Sequence, residues 1–202
     1  MILHSLDAVV EALGTVAHDA AHRLLVGIAG APGAGKSTVA AQLVAAVPDA
    51  VLLPMDGFHL PQARLVELGR RDRMGAPDTF DVDAFVATLA AVRFRGETVL
   101  APGFDREIEE AVPRAITVSP QKRVVVVEGN YLLHWPEVAA LLDVTFWVDV
   151  DREVRLARLI ARHERFGKTP DAARAWALGP DERNALLVEA SADRADHVIR
   201  LG

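Results

Sequence analysis

Gly30-Ala31-Pro32-Gly33-Ala34-Gly35-Lys36-Ser37-Thr38 fits the pattern G-x-x-x-x-G-K-[ST], and its two flanks settle how it is read. Ahead of it lies Leu24-Leu25-Val26-Gly27-Ile28, a short apolar run that predicts a buried strand. Behind it Val39, Leu43, Val44 and Val47 recur at helical spacing, and Pro48 closes the segment. Strand, glycine-rich loop and helix in that order predict a phosphate-binding loop rather than an ordinary turn. The glycines let successive backbone N–H groups turn inward around a phosphate chain with no Cβ in the way. The start of the helix adds unpaired N–H groups and the positive end of its dipole. In this reading residues 30–38 hold a nucleoside triphosphate. Lys36 reaches its β- and γ-phosphates, and the Ser37 hydroxyl is a ligand to Mg²⁺.

A chain of 202 residues, 51% of them hydrophobic, suits one medium-sized α/β domain spanning 1–202. The net charge of −6, with no dominant basic stretch, argues against a nucleic-acid partner. The absence of cysteine excludes disulfides, thiol catalysis and thiolate metal sites. No apolar run is long enough to span a bilayer, so no membrane partner is expected. The first residues do not read as a signal peptide, and a cytoplasmic location is the expectation.

From Ile2 to Ala17 apolar residues recur at helical spacing, predicting an amphipathic helix that packs on the sheet. A contact within a homodimer is the alternative use of that face. Ala50 to Pro54 reads as a second strand, ending in Met55-Asp56-Gly57-Phe58-His59. Asp56 then lies past the carboxyl end of a strand, the edge where open α/β sheets bind ligands. Locally a solvated Asp-Gly turn fits equally well. Pairing with the phosphate loop favours a carboxylate that accepts the proton of a hydroxyl.

Pro61 to Asp81 is charged and irregular, with Arg64, Arg70, Arg71 and Arg73, and reads as a substrate-covering loop or short helix. Asp83 is the expected cap of the helix through Phe85, Leu89 and Val92. Thr98–Ala101 and Ala115–Val118 are expected to pair as an antiparallel insertion over 98–118, with Asp105 and Arg106 at its tip. Val124 to Val127 require burial on both faces, as in the centre of a parallel sheet. Glu128 directly after them needs a partner such as a metal or its water shell.

Glu137–Leu142 is expected as a short helix and Val144–Val148 as a strand. The helix that follows carries Arg155, Arg158, Arg162 and Arg165 along one polar stripe. That stripe reads as a clamp on the transferring phosphoryl group, with a solvated face as the alternative. Gly167 to Pro170 and Gly179-Pro180 bracket a small helix expected to hinge at both ends, within a lid over 152–180. Asp181–Ala190 reads as a further helix and His197–Leu201 as the last strand.

The phosphate loop, Met55-Asp56-Gly57-Phe58-His59, Gly75 to Asp81, Pro102 to Arg106, Val124 to Leu133 and the arginine-rich helix occur in one order. This series resembles the uridine kinase-like group of P-loop kinases, which includes uridine kinases, bacterial pantothenate kinase and phosphoribulokinase. It looks closest to the nucleoside/nucleotide kinase branch, some members of which carry fructose-transport or pantothenate-kinase labels. The resemblance implies a three-layer α/β P-loop kinase fold with a mostly parallel central sheet and a helical lid. It implies ATP and Mg²⁺, and transfer of the γ-phosphoryl group to a small nucleoside, sugar or pantothenate-like alcohol.

By the same resemblance Asp56 corresponds to the catalytic carboxylate, close to the metal, and Glu128 to the acid that assists Mg²⁺. Arg158 and Arg162, with Arg165 as a further candidate, fall in the lid, and the first two act in catalysis with Lys36. The acceptor-side candidates are His59, Arg73, Asp81, Asp105, Arg106 and Tyr131. A nucleotide-dependent switch acting through a protein partner is the rival reading; it lacks the Asn-Lys-x-Asp run that specifies guanine.

Overall fold

The computed structural model describes residues 1–16, 22–94 and 96–200. In chain order its elements are β1 (Ile2–Leu3), α1 (Leu6–Gly14), β2 (Leu24–Ala29), α2 (Lys36–Ala46), β3 (Ala50–Pro54), α3 (Gln62–Glu67), α4 (Val82–Arg93), β4 (Val99–Asp105) and β5 (Glu110–Val118). There follow β6 (Val124–Gly129), α5 (Pro136–Ala139), β7 (Val144–Val148), α6 (Arg152–Arg165), α7 (Pro170–Trp176), α8 (Glu182–Glu189) and β8 (His197–Ile199).

The valine strand β6 has no polar face to give to water, and every residue in it is buried. It lies between β2 and β3 in a six-stranded sheet of order β1-β8-β7-β2-β6-β3 whose paired strands are all parallel. Strand periodicity splits the sheet between two cores. Leu24, Val26, Ile28, Val124 and Val126 face α1 and α2, with Val9, Leu13, Val39 and Leu43. Leu25, Val125 and Val127 face the other way, with Phe85, Leu89, Trp135, Val138 and Val188. This gives the three layers.

Register positions the site. Ile28 pairs with Glu128 and Ala29 with Gly129, while Pro54 pairs with Glu128 from the other side. The phosphate loop, Glu128 and the turn carrying Asp56 therefore emerge together at the carboxyl edge of three neighbouring strands. β4 and β5 form a separate antiparallel pair, with a register shift between Ala101 and Gly103. It lies close to the 3₁₀ turn Met55–Phe58, where a Cβ on Gly57 would come within 2.4 Å of the Pro102 carbonyl oxygen. Only glycine permits that approach.

Several elements differ from the sequence expectation. Ile2 and Leu3 are not helical; they pair with Val198 and Ile199, and α1 starts only after Ser5, whose Oγ accepts from the Ala8 N–H. Ala17 and Leu201 lie outside the described residues. The cap of α4 is Asp81, not Asp83: its Oδ1 accepts from the Ala84 N–H at 2.9 Å. α5 runs over Pro136–Ala139, earlier and shorter than Glu137–Leu142. Gly179-Pro180 lies inside a helical run rather than in a loop, because Ala177–Asp181 forms a π-helical turn that carries α7 directly into α8. The wide turn accommodates a proline that a tight α-helical interior would reject.

Nothing in the sequence singles out Arg23. It is 1% exposed, and its guanidinium donates to the carbonyls of Val92, Phe94, Glu97, Ser119 and Lys122. One side chain thus ties the start of β2 to the end of α4 and to the approach of β6.

Candidate active site

The phosphate loop takes its shape from backbone that few residues other than glycine adopt, with Gly33 at φ 81° and Gly35 at φ 94°. A Cβ on Gly33 would lie 2.7 Å from the Arg155 carbonyl oxygen and 2.8 Å from Leu159 Cγ, so the loop is pressed beneath α6. No side chain caps the start of α2. Its first N–H groups are therefore open to an anion.

Lys36 is buried, and its Nζ donates to the Ala31 carbonyl at 3.1 Å. Burial lowers its pKa to about 8, against the opposing pull of Glu128 and Asp56. The Ser37 hydroxyl donates to Glu128 Oε2 at 3.2 Å. Burial pushes the Glu128 carboxyl up, with Lys36 opposing. For both groups desolvation outweighs their mutual attraction, and phosphate oxygens beside Lys36 would restore the preference for its charged form.

The residues fit a magnesium ion. A hydroxyl and a carboxylate in contact supply oxygen donors only, which suits a hard cation. Among the described residues no cluster of three carboxylate or imidazole groups would cage a metal without help. Mg²⁺ characteristically takes much of its shell from phosphates and water.

Asp56 sits in the 3₁₀ turn after β3, and its Oδ2 accepts from Arg106 Nη2 at 2.7 Å. His59 Nδ1 donates to the Asp56 carbonyl at 2.9 Å. Its ring lies against Phe80 and Phe104, with centroids 3.9 and 4.9 Å away, and burial pulls its pKa below the ordinary value. Lys36, Ser37, Asp56, His59, Arg106, Glu128 and Arg162 all border one cleft of about 190 Å³.

Four acceptor-side candidates are absent from its lining. Arg73 pairs with Asp78, Asp81 caps α4, and Asp105 Oδ1 accepts from the Glu107 N–H within the hairpin tip. Tyr131 is buried among Phe80 and Trp135 and donates its hydroxyl to the Gly75 carbonyl at 2.6 Å. Burial pushes that phenol upward. Through Gly75, which borders the cleft, Tyr131 supports the wall from behind.

The arginine stripe of α6 divides. Arg162 borders the cleft, and burial first, then Arg106, disfavours its charge. Arg158 Nη1 donates to the Ala34 carbonyl at 3.3 Å, and Arg165 is exposed. Arg155 is not on a polar face at all. Its side chain is 3% exposed, donates to the Pro32 carbonyl at 3.0 Å and pairs with Glu182 of α8 at 3.2 Å. It ties the phosphate loop to the helix that packs over it.

Arg155→Met should therefore weaken nucleotide binding by ~10-fold, since the buried Pro32 carbonyl left unpaired costs about 1–3 kcal/mol, while Glu182 keeps Arg152 as a partner. Nucleotide titration of the folded variant checks this. Unchanged affinity would remove Arg155 from any role in shaping the loop.

Sequence reasoning missed part of the cleft. Arg71, paired with Glu109, and Phe104 come from the loop after α3 and from the hairpin. His163, paired with Asp181 at 2.7 Å, and Lys168 with Trp176 come from α6 to α8. The charged composition of residues 61–81, the Pro102–Arg106 motif and the lid expected over 152–180 point at these segments without singling out these side chains.

The chain matches the Phosphoribulokinase / Uridine kinase family over residues 25–199. It is 41% identical over 133 residues to an ATP-dependent kinase-like protein, notR′, of Aspergillus versicolor, covering 60% of this chain and 77% of that one. It is 31% identical over 152 residues to a uridine kinase of Brevibacillus brevis, covering 73% and 70%. A Silicibacter sp. TM1040 crystal structure carrying the label fructose transport system kinase superposes with a TM-score of 0.90 at 37% identity, covering 97% of this chain and 99% of that one.

Proposed function

The chain belongs to the phosphoribulokinase/uridine kinase family, and from that premise we propose that it transfers the γ-phosphoryl group of ATP to a hydroxyl of a small nucleoside, sugar or pantothenate-like acceptor. One observation carries this reading. Lys36, the Ser37–Glu128 pair and Asp56 stand at the ends of three adjacent strands and open into the same cleft.

The loop amides and Lys36 hold the triphosphate. Ser37 and Glu128, with Asp56 bordering the same cleft, would hold Mg²⁺, which would supply neutralisation of the phosphate charge. Arg106 orients the Asp56 carboxylate through Oδ2. Asp56 takes the proton of the acceptor hydroxyl as that oxygen bonds to the γ-phosphorus. The bond from phosphorus to the bridging oxygen breaks, and its electron pair leaves with ADP. Arg162 faces the charge on the transferring group, and Arg158 and Arg155 keep the loop in shape from behind. We assign α6 and α7 to a lid that excludes water, the competing acceptor. The demand for ATP suits a cytoplasmic location.

ADP release, scored over a panel of hydroxylic compounds against a water-only background, tests the reading. At least one acceptor should raise it. Lys36→Ala should cut the stimulated rate by about 10²–10³-fold with the fold retained, as removal of a fixed charge at the transferring group does elsewhere. A Lys36→Ala protein that turns over normally would overturn the phosphate-loop assignment.

A further inference from the structure

The cations that border the cleft fall into three sets. Arg106 is held by Asp56 and Arg71 by Glu109. Lys36 and Arg162 face the phosphates in the proposed mechanism. Lys168 remains. Its ammonium lies 4.7 Å above the Trp176 ring, and among the described residues no carboxylate comes within ion-pair distance of it. An indole face attracts an ammonium but does not neutralise it.

The backbone holds this lysine in place. Gly167 takes φ 93° past the end of α6, the Gly167 N–H donates to the Glu164 carbonyl, and the Lys168 N–H donates to the His163 carbonyl. That is a helix-terminating motif with its glycine in the left-handed position. The helices after Lys168 lean on the acceptor wall: Asn184 Nδ2 donates to the Gly75 carbonyl at 3.2 Å, the same carbonyl that Tyr131 engages. Gly75, Asn184, Trp176 and Lys168 all border the cleft.

We infer that Lys168 is a specificity residue that pairs with an anionic group on the acceptor, a carboxylate or a phosphate, so that the substrate is a hydroxylic acid or a phosphorylated alcohol rather than a neutral alcohol. This rests on the kinase reading and narrows it. A neutral acceptor would leave the Lys168 charge uncompensated in a closing, water-excluding cleft, whereas an anionic one supplies the missing counter-ion and draws the lid down onto itself.

The test pairs each neutral alcohol with its charged counterpart: glycerol with glycerate, glucitol with gluconate, fructose with fructose 6-phosphate, and uridine as a further neutral compound. ADP release is measured for wild type, Lys168→Met and Lys168→Arg. Stimulation should be confined to charged members. Lys168→Met should raise the KM of the best of them by ~10- to 100-fold with kcat and the KM for ATP little changed, and Lys168→Arg should restore most of the loss. Equal or better use of the neutral members overturns the proposal while leaving the kinase reading intact. So does a Lys168→Met protein whose KM for ATP rises instead, since the lysine would then face the nucleotide. If no compound raises ADP release above water, phosphoryl transfer to small alcohols fails and the proposal falls with it.

Discussion

Asp56→Asn lowers phosphoryl transfer by about 10²–10⁴-fold, the usual worth of general-base assistance, and leaves ATP affinity close to wild type. The substitution keeps the shape of the side chain and removes the charge that draws off the acceptor proton. Asp56 is placed for that task by β3, which ends at Pro54 beside Glu128, and by Arg106, which holds Oδ2 at 2.7 Å. An asparagine amide retains an oxygen for Arg106, so the hairpin stays docked and the loss falls on chemistry. The phosphate loop is untouched, and any decline in ATP binding would come through the metal. Both quantities should be measured on one preparation, ATP affinity by titration and transfer to the best acceptor by ADP release. A variant that binds ATP normally and transfers at the wild-type rate removes Asp56 from the mechanism. His59 would then be the next side chain on that wall to test.

Arg23→Met destabilises the fold by about 3–5 kcal/mol, a large share of the ~5–15 kcal/mol that holds a typical domain together. Methionine fills much of the volume but donates nothing. The carbonyls of Val92, Phe94, Glu97, Ser119 and Lys122 lose a common donor at a point where α4, the end of the hairpin and the approach to β6 meet. Each buried carbonyl left unpaired adds its own desolvation penalty. The shift of the denaturation midpoint in urea, with slope unchanged, measures the effect. Arg23→Lys, with one ammonium in place of a planar fork, should recover only part of it. A midpoint within the scatter of wild type would show that water replaces the guanidinium at no cost.

The two results bear on different links of the chain from sequence to function. Asp56 is legible in the sequence itself, because its meaning depends on neighbours along the chain: an apolar run, then an acid, in a protein with a phosphate loop. Arg23 is not. Its five acceptors are scattered from Val92 to Lys122, and nothing beside it in the sequence refers to them.

Local sequence by itself determined the α/β class, the β2–loop–α2 unit, the buried valine strand, and the small set Lys36, Ser37, Asp56 and Glu128 that the sheet brings to one edge. These follow from periodicity and from backbone chemistry within a few residues, which act wherever the segment ends up in space. Only the tertiary structure decided the rest. Ile2 and Leu3 suit the spacing of a helix, yet their partner strand β8 lies at the other end of the chain. The helical spacing of Arg155, Arg158 and Arg162 puts them on one stripe, but spacing is silent about what packs there. It was the seating of α8 against α6 that buried Arg155 with Glu182 and left Arg162 at the cleft. Tyr131 and Asp81 look like ligand contacts in the sequence because they are polar and stand in distinctive motifs. The fold gives their polar atoms backbone partners instead, the Gly75 carbonyl and the Ala84 N–H. Lys168 shows the converse. A lysine in a Gly-Lys-Thr-Pro turn reads as solvated, and its want of a counter-ion among the described residues emerges only once the carboxylates around the cleft have been placed. Burial and charge compensation are properties of the assembled interior, where distant segments set the local dielectric, and no window along the chain contains them.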